Sequence, residues 1–196
     1  MVDGGKSKKG VFFMTKFYIP RIRKIILAGL LLAVYILLDR VFTISTPIQK
    51  INLSLIAVML TAIMLGWKYA IVVGGLGDLI GAITMPFGPY FPGFTLSAAL
   101  IGLIYGFWIY RDPNKEIKEW KFILRIIISN ILVLGLISVL LNGLWLYIIM
   151  NKAYVAILAT RISAELIMLP IQIVLIYALE RALRPFIKKY LYEEEV

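Results

Sequence analysis

Apolar residues fill this chain in long runs, separated by short polar or proline-rich breaks. The runs lack the alternating short segments of a membrane barrel. Several reach the roughly 20 residues that a helix needs to cross a bilayer. The pattern predicts six helices, over residues 22–38, 53–65, 69–84, 93–110, 122–150 and 153–183. Asp39 and Arg40 close the first. The second is short for a full crossing. Gly66-Trp67-Lys68 forms a tight turn with an interfacial tryptophan. Asp112-Pro113-Asn114 breaks the chain after the fourth helix, and Asn151-Lys152 after the fifth. The last two helices exceed the bilayer thickness, so they should tilt or project from it. Pro170 should kink the sixth. The fold class is an all-α polytopic membrane protein. Residues 1–20 form a basic cytoplasmic tail, and 21–196 form one six-helix domain with outer loops at 39–52 and 85–93.

One break differs from the rest. Met85 to Thr95 holds three prolines, two glycines and four aromatics, with no charge. Proline fixes φ and resists helix on its N-terminal side. The segment therefore reads as a stiff aromatic lid over residues 86–92, suited to a flat organic ligand rather than an ion. A well-packed interhelical turn is the plainer alternative.

Composition narrows the class. The chain is 196 residues long and 61% hydrophobic, with mean hydropathy +0.91. It has no cysteine and no histidine. Disulfides, thiolate chemistry, histidine metal ligation and Ser-His or Cys-His catalysis are excluded. No cofactor or metal site is expected, and no Walker A motif is present. A net charge of +10 is compatible with nucleic-acid binding, but its distribution argues otherwise. Seven basic residues from Lys6 to Lys24, Lys68, a group from Arg111 to Arg125, and a group from Arg181 to Lys189 all fall on one side of a six-helix layout. The other side keeps Arg40, Lys50 and Lys152. This is the positive-inside pattern, so both termini should be cytoplasmic and the charge should face anionic lipid. No signal peptide precedes the first helix.

Charge inside a membrane helix is costly, so each instance is a candidate for function. Asp78, Arg161 and Glu165 are such residues. Arg161 and Glu165 lie four apart and share a helix face, either as a structural pair or with Arg161 meeting a ligand. Asp78 could read an amino-heterocycle or pair with a neighbouring helix. Asn142 and Trp145, three apart, could form one ligand wall, with an amide beside a stacking face. Small residues mark close helix approach: Gly29 and Ala33 on the first helix, and Gly74, Gly75, Gly77 and Gly81 on the third. The first pair could face another membrane subunit.

Several segments together resemble a known family. They are Gly77-Asp78-Leu79-Ile80-Gly81, Phe87 through Ser97, Leu141-Asn142-Gly143-Leu144-Trp145-Leu146, Thr160-Arg161-Ile162 and Leu169-Pro170-Ile171-Gln172. With the six-helix layout, they are similar to the substrate-binding (S) components of energy-coupling factor (ECF) vitamin transporters, above all the folate-specific members. The likeness extends from about Arg21 to Pro185. It implies a multi-pass subunit in a prokaryotic cell membrane, without its own ATPase, that captures a vitamin from outside. Such a subunit docks through its first helix on a transmembrane coupling subunit with two ATPase subunits. Gly29 and Ala33 are the best match here to the family's small-residue docking pattern.

Folate fits the candidate residues. A carboxylate such as Asp78 can pair with the aminopyrimidinone edge of a pterin. Tyr90, Phe91, Phe94 and Trp145 can sandwich the rings, with Asn142 and Arg161 lining the pocket. Arg40, Lys50 or Lys152 would suit the anionic glutamate tail. The alternatives are another vitamin such as riboflavin, a stand-alone ion-coupled carrier, or a structural membrane protein whose polar residues only hold helices together.

Overall fold

The computed structural model describes residues 6–42, 44–45, 50–51, 53–86, 90–112, 117–150 and 154–187. For residues 6–20, 44–45, 50–51, 150, 154, 156–157 and 160 this covers the backbone alone. Among the described residues the chain forms six helical rods. They are α1 (Lys6–Arg40), α2 (Ser54–Leu65), α3 (Trp67–Thr84), α4 (Pro92–Trp108), a fifth rod built of α5 (Glu119–Leu132), a π-helical stretch (Val133–Leu141) and α6 (Asn142–Met150), and α7 (Tyr154–Ile187). Two-residue strands, β1 (Ile44–Ser45) and β2 (Lys50–Ile51), pair antiparallel between α1 and α2. Two helical stretches, Glu119–Ile149 and Arg161–Ile187, are long and apolar enough to cross a membrane. The hydropathy pattern placed most helix ends within a few residues. The largest difference is at α1, which runs as helix from Lys6, where the sequence suggested a tail to residue 20.

Local chemistry explains the breaks. α2 ends at Gly66, whose φ of +81° lies in the left-handed region that glycine occupies without penalty. The ring of Tyr110 packs over that turn. Pro92 opens α4 in its first turn, where the missing N–H costs no helical hydrogen bond. α7 continues through both Pro170 and Pro185.

α3 and α4 share the most extensive interface of the bundle. Their backbones approach closely enough that a Cβ at Gly74 would stand 2.5 Å from the Ala98 carbonyl oxygen, and one at Gly102 would stand 2.2 Å from that of Ala70. Neither site can hold a side chain without the helices parting. This is the small-residue packing expected when helices meet without a hydrophobic drive. The adjacent flank of α3 receives α1, with Tyr35 lying over Gly77 and Arg40 over Gly81. The α3 glycines thus serve two neighbours at once.

α1 itself has two faces. Ala28, Leu31, Tyr35 and Asp39 are buried against the bundle, whereas Ile25, Ile26, Leu30 and Leu37 are exposed with Gly29 and Ala33 among them. A Cβ on Gly29 would meet nothing within 4 Å. Tyr105 and Asn130, both buried, are paired within the bundle. Tyr105 donates to Asn130 Oδ1 at 3.1 Å, and Asn130 donates in turn to the Ile126 carbonyl at 2.8 Å.

The two ends of the bundle differ. One carries the C-terminus of α3, residues 85–86 and 90–91, and the N-terminus of α4. The other carries Lys68, Arg111, Lys118, Lys121, Arg181 and Arg184. At this basic end Arg111 is buried. It contacts Glu119 at 3.2 Å and Glu180 at 3.5 Å, donates to the Ile117 carbonyl, and lies over the Phe122 ring. Arg184 reaches Glu119 at 3.6 Å. This ionic knot joins the end of α4 to α5 and α7.

Candidate functional site

The N-terminus of α4 organises the candidate site. Thr95 and Ser97 are two residues apart, so they leave the helix on different sides. Thr95 Oγ1 donates to Asp78 Oδ2 on α3 at 2.6 Å, a short charge-assisted bond. Ser97 Oγ accepts from Trp145 Nε1 on α6 at 3.1 Å. α4 is therefore tied to α3 on one flank and to α6 on the other. The Tyr90 hydroxyl stands 3.2 Å from Thr95 Oγ1. A hydroxyl has one proton, and Thr95 gives its own to Asp78, so Tyr90 is the donor here.

Aromatic rings close over these polar contacts. Phe91 packs against Trp145 with centroids 5.5 Å apart, and edge-on against Phe94 at 6.1 Å. Gly93 makes that packing possible. A Cβ there would fall 2.4 Å from the Phe91 ring and 2.7 Å from the Trp145 indole. Five residues singled out in the sequence, Asp78, Tyr90, Phe91, Phe94 and Trp145, thus belong to one connected network. Phe87, Gly88 and Pro89, the middle of the expected lid, lie outside the described residues.

Asn142 sits three residues before Trp145, where the π-helical stretch gives way to α6. Its Oδ1 is buried and, among the described residues, has no hydrogen-bond donor. A buried acceptor without a donor is costly, and a bound ligand can satisfy it. Four residues earlier lies Ser138, which meets Arg161 of α7. Arg161 Nη1 donates to the Ser138 carbonyl at 3.0 Å and contacts its Oγ at 3.4 Å. Ser138 Oγ in turn donates to Glu165 Oε1. Arg161 and Glu165 share a face of α7 as their spacing requires, with Ser138 joining them.

Arg40 is placed differently from a solvent-facing rim cation. Its side chain is 5% exposed. Nε lies 3.0 Å from Asp39 Oδ2, and Nη1 donates to the Met85 carbonyl at 2.9 Å. Ser54 donates to the other Asp39 oxygen at 3.3 Å. Arg40 therefore reaches across Gly81 and holds the start of the aromatic segment. The side chain of Lys50 and all of Lys152 lie outside the described residues. Gly29 and Ala33 are on the exposed face of α1, remote from this network in sequence and packing.

The contacts that sequence reasoning did not assign are those of Thr95, Ser97 and Ser138. Each is a hydroxyl inside an apolar helix, which is the signal that marks them. Among the described residues no three Asp or Glu side chains gather as a metal site would require. The arrangement offers stacking faces, a carboxylate, an amide and a buried guanidinium. It suits capture of a flat polar heterocycle rather than bond-making chemistry.

A family model described as "ECF transporter, substrate-specific component" matches residues 23–180. The chain belongs to this family. It is a transport subunit of the prokaryotic membrane rather than an enzyme, and its partners are the other subunits of an ECF transporter. It is 34% identical over 157 residues to the folate transporter FolT of Clostridium novyi (strain NT), covering 80% of this chain and 87% of that one. Identity to the FolT of Leuconostoc mesenteroides subsp. mesenteroides is 27% over 162 residues, covering 80% and 84%. A crystal structure of FolT bound with folic acid superposes with a TM-score of 0.70 at 34% identity, covering 80% of this chain and 90% of that one.

Proposed function

We propose that this chain is the folate-capturing subunit of an ECF importer, with six transmembrane helices and both termini in the cytoplasm. The likeness to FolT bound with folic acid, at 34% identity over most of both chains, carries this reading. The concentration of basic residues at the end opposite the aromatic segment supports the orientation. The aromatic end then faces outward, where the vitamin arrives.

In this reading the pterin lies among Phe91, Phe94 and Trp145, with its aminopyrimidinone edge toward Asp78. Asn142 Oδ1 supplies an acceptor that has no donor among the described residues. Arg161 lines the deeper wall. Arg40 holds the Met85 carbonyl and so sets the loop's approach, while Lys50 lends positive charge to the side where the glutamate tail emerges. Tyr90 covers the outer rim. The exposed face of α1 around Gly29 and Ala33 docks on the transmembrane coupling subunit, whose two ATPase subunits drive release inward.

Purification from the native host, followed by mass spectrometry of the bound small molecule and titration calorimetry with folate and with pteroate lacking the glutamate tail, tests the ligand. Folate should co-purify and both compounds should bind. Riboflavin in its place would replace the vitamin assignment. In vesicles containing the whole transporter, Gly29→Leu should abolish folate uptake while leaving binding unchanged, because bulk on that face blocks close helix approach. Lost binding with uptake machinery still assembled would reverse the roles given to α1 and the aromatic end.

A further inference from the structure

Within the fifth rod, nine residues, Val133–Leu141, are π-helical rather than α-helical. Wide turns of this kind recur at functional sites because they leave backbone groups outside the regular ladder. At the end of this one, the Asn142 N–H bonds to the carbonyls of Ile137 and Val139 and passes over that of Ser138. In an α-helix the N–H of residue 142 would bond to the carbonyl of residue 138. Here the Ser138 carbonyl meets Arg161 Nη1 at 3.0 Å instead. The Ser138 hydroxyl, within 3.4 Å of the same nitrogen, donates a hydrogen bond to Glu165 Oε1. One residue thus contacts both Arg161 and Glu165, two charged groups within the apolar part of α7.

We infer that Ser138 is a positioning residue for ligand binding: the π-helical stretch presents its carbonyl and hydroxyl so that Arg161 is aimed at the wall shared with Asn142. This rests on the assignment of Arg161 to the folate site. Three observations carry it. Arg161 is held through the carbonyl and hydroxyl of Ser138, and Glu165 acts on it only across that serine, so the guanidinium has no carboxylate in direct contact. Asn142, one turn beyond Ser138, has a buried acceptor without a donor among the described residues. Ser138 and Arg161 are 23 residues apart on separate rods, so the contact fixes one wall relative to the other.

The test is a double-mutant cycle in the full chain, read by titration calorimetry with folate. Ser138→Ala removes one hydrogen bond to the guanidinium and one to Glu165, and should weaken folate binding about tenfold. Ser138→Thr keeps the hydroxyl and should restore most of that loss. In an Arg161→Lys background, whose own affinity is reduced, adding Ser138→Ala should change affinity by less than about twofold, because the aimed group is gone. A purely structural serine would cost the same in both backgrounds, and that result overturns the inference. Should Ser138→Ala fail to fold, Ser138→Cys takes its place in the cycle with the same expected direction. If Arg161→Lys binds folate as the parent does, Arg161 is no ligand residue and the positioning role falls with it, while wild-type folate binding stands. If wild-type protein binds no folate, the functional reading itself is what failed.

Discussion

Two buried arginines, Arg111 and Arg161, have different surroundings. Arg111, at the basic end, touches Glu119 and Glu180 and lies over Phe122. Arg161, between the fifth rod and α7, touches the carbonyl and hydroxyl of a serine, and its carboxylate neighbour Glu165 lies beyond that serine. Each has a buried Nε without a hydrogen-bond acceptor among the described residues, so that feature does not separate them. What separates them is the number of carboxylates in direct contact. Arg111 is compensated within the protein and ties three elements together. Arg161 is held by the carbonyl and hydroxyl of Ser138, and Glu165 meets its charge only across that serine. A buried cation of the first kind is a structural clamp, whereas one of the second kind is available to an anionic or polar ligand.

Exchanging the two arginines for alanine gives the largest effects and the sharpest contrast. Arg161→Ala should weaken folate binding by about 2–5 kcal/mol, on the order of 30- to several-thousand-fold. Arg111→Ala should leave affinity near that of the parent but destabilise the fold. It strands Glu180, whose side chain is 6% exposed. Breaking a buried pair in this way costs about 3–5 kcal/mol, a fall in Tm of roughly 10 °C. Calorimetric titration and thermal unfolding of both variants in one detergent decide the matter. If both variants lose affinity equally, the distinction between clamp and ligand group collapses.

Asp78→Asn comes next, because it asks whether the second intramembrane charge behaves like Arg161 or like Arg111. The asparagine keeps an oxygen for the Thr95 hydroxyl, so packing is largely preserved. Loss of the charge should still weaken folate binding by at least about 30-fold. The loss should be equal for pteroate, since the glutamate tail is not involved. A loss confined to folate would move Asp78 away from the pterin. An unchanged Kd with a lowered Tm would place it with Arg111 as a clamp.

How much of this contrast was readable beforehand depends on the range of each interaction. The helices were legible because uninterrupted apolar runs leave the backbone no other way to satisfy its hydrogen bonds in lipid. The early start of α1 was missed because the stretch before Ile22 is basic and lacks an apolar run. Asp78, Trp145 and Arg161 stood out because charge and indole are rare inside such runs. Their partners did not. Thr95 meets Asp78 from 17 residues away, Ser97 meets Trp145 from 48, and Ser138 meets Glu165 from 27. No local pattern encodes pairings of that range. The π-helical stretch left no mark either, since Val133–Leu141 reads as one more apolar segment. Arg40 looked like a rim cation from its place at a helix end. The absent side chain at Gly81, 41 residues on, is what lets it lie down across α3.

Gly93→Ala probes the aromatic side of the site, where no charge takes part. The new methyl would collide with the Phe91 ring and the Trp145 indole. Overpacking of this type costs about 1–3 kcal/mol. Because the rings that must move are the proposed stacking faces, affinity should fall about tenfold. The Trp145 fluorescence should shift in the free protein as well. An alanine variant with parental affinity and spectrum would mean that these rings repack freely and do not define the pocket.

Tyr90→Phe should have the smallest effect, and it tests whether the site's edge is as weak as the edge of the ionic knot. Tyr90 is 45% exposed, much as Glu119 on the knot is more than half exposed. Its hydroxyl donates to Thr95, whose own proton already goes to Asp78. Removing it leaves Thr95 Oγ1 short of one incoming bond, at a position that water can reach. The net worth of such a bond is about 0.5–1 kcal/mol, so folate affinity should fall only two- to fivefold or so. The Asp78–Thr95 contact does not depend on it and should persist. A loss above about tenfold would mean that the Tyr90 hydroxyl touches the ligand directly, since its one bond to Thr95 cannot account for that much. The outer rim would then count with Arg161 and Asp78 among the groups that recognise folate, rather than as the cover over them.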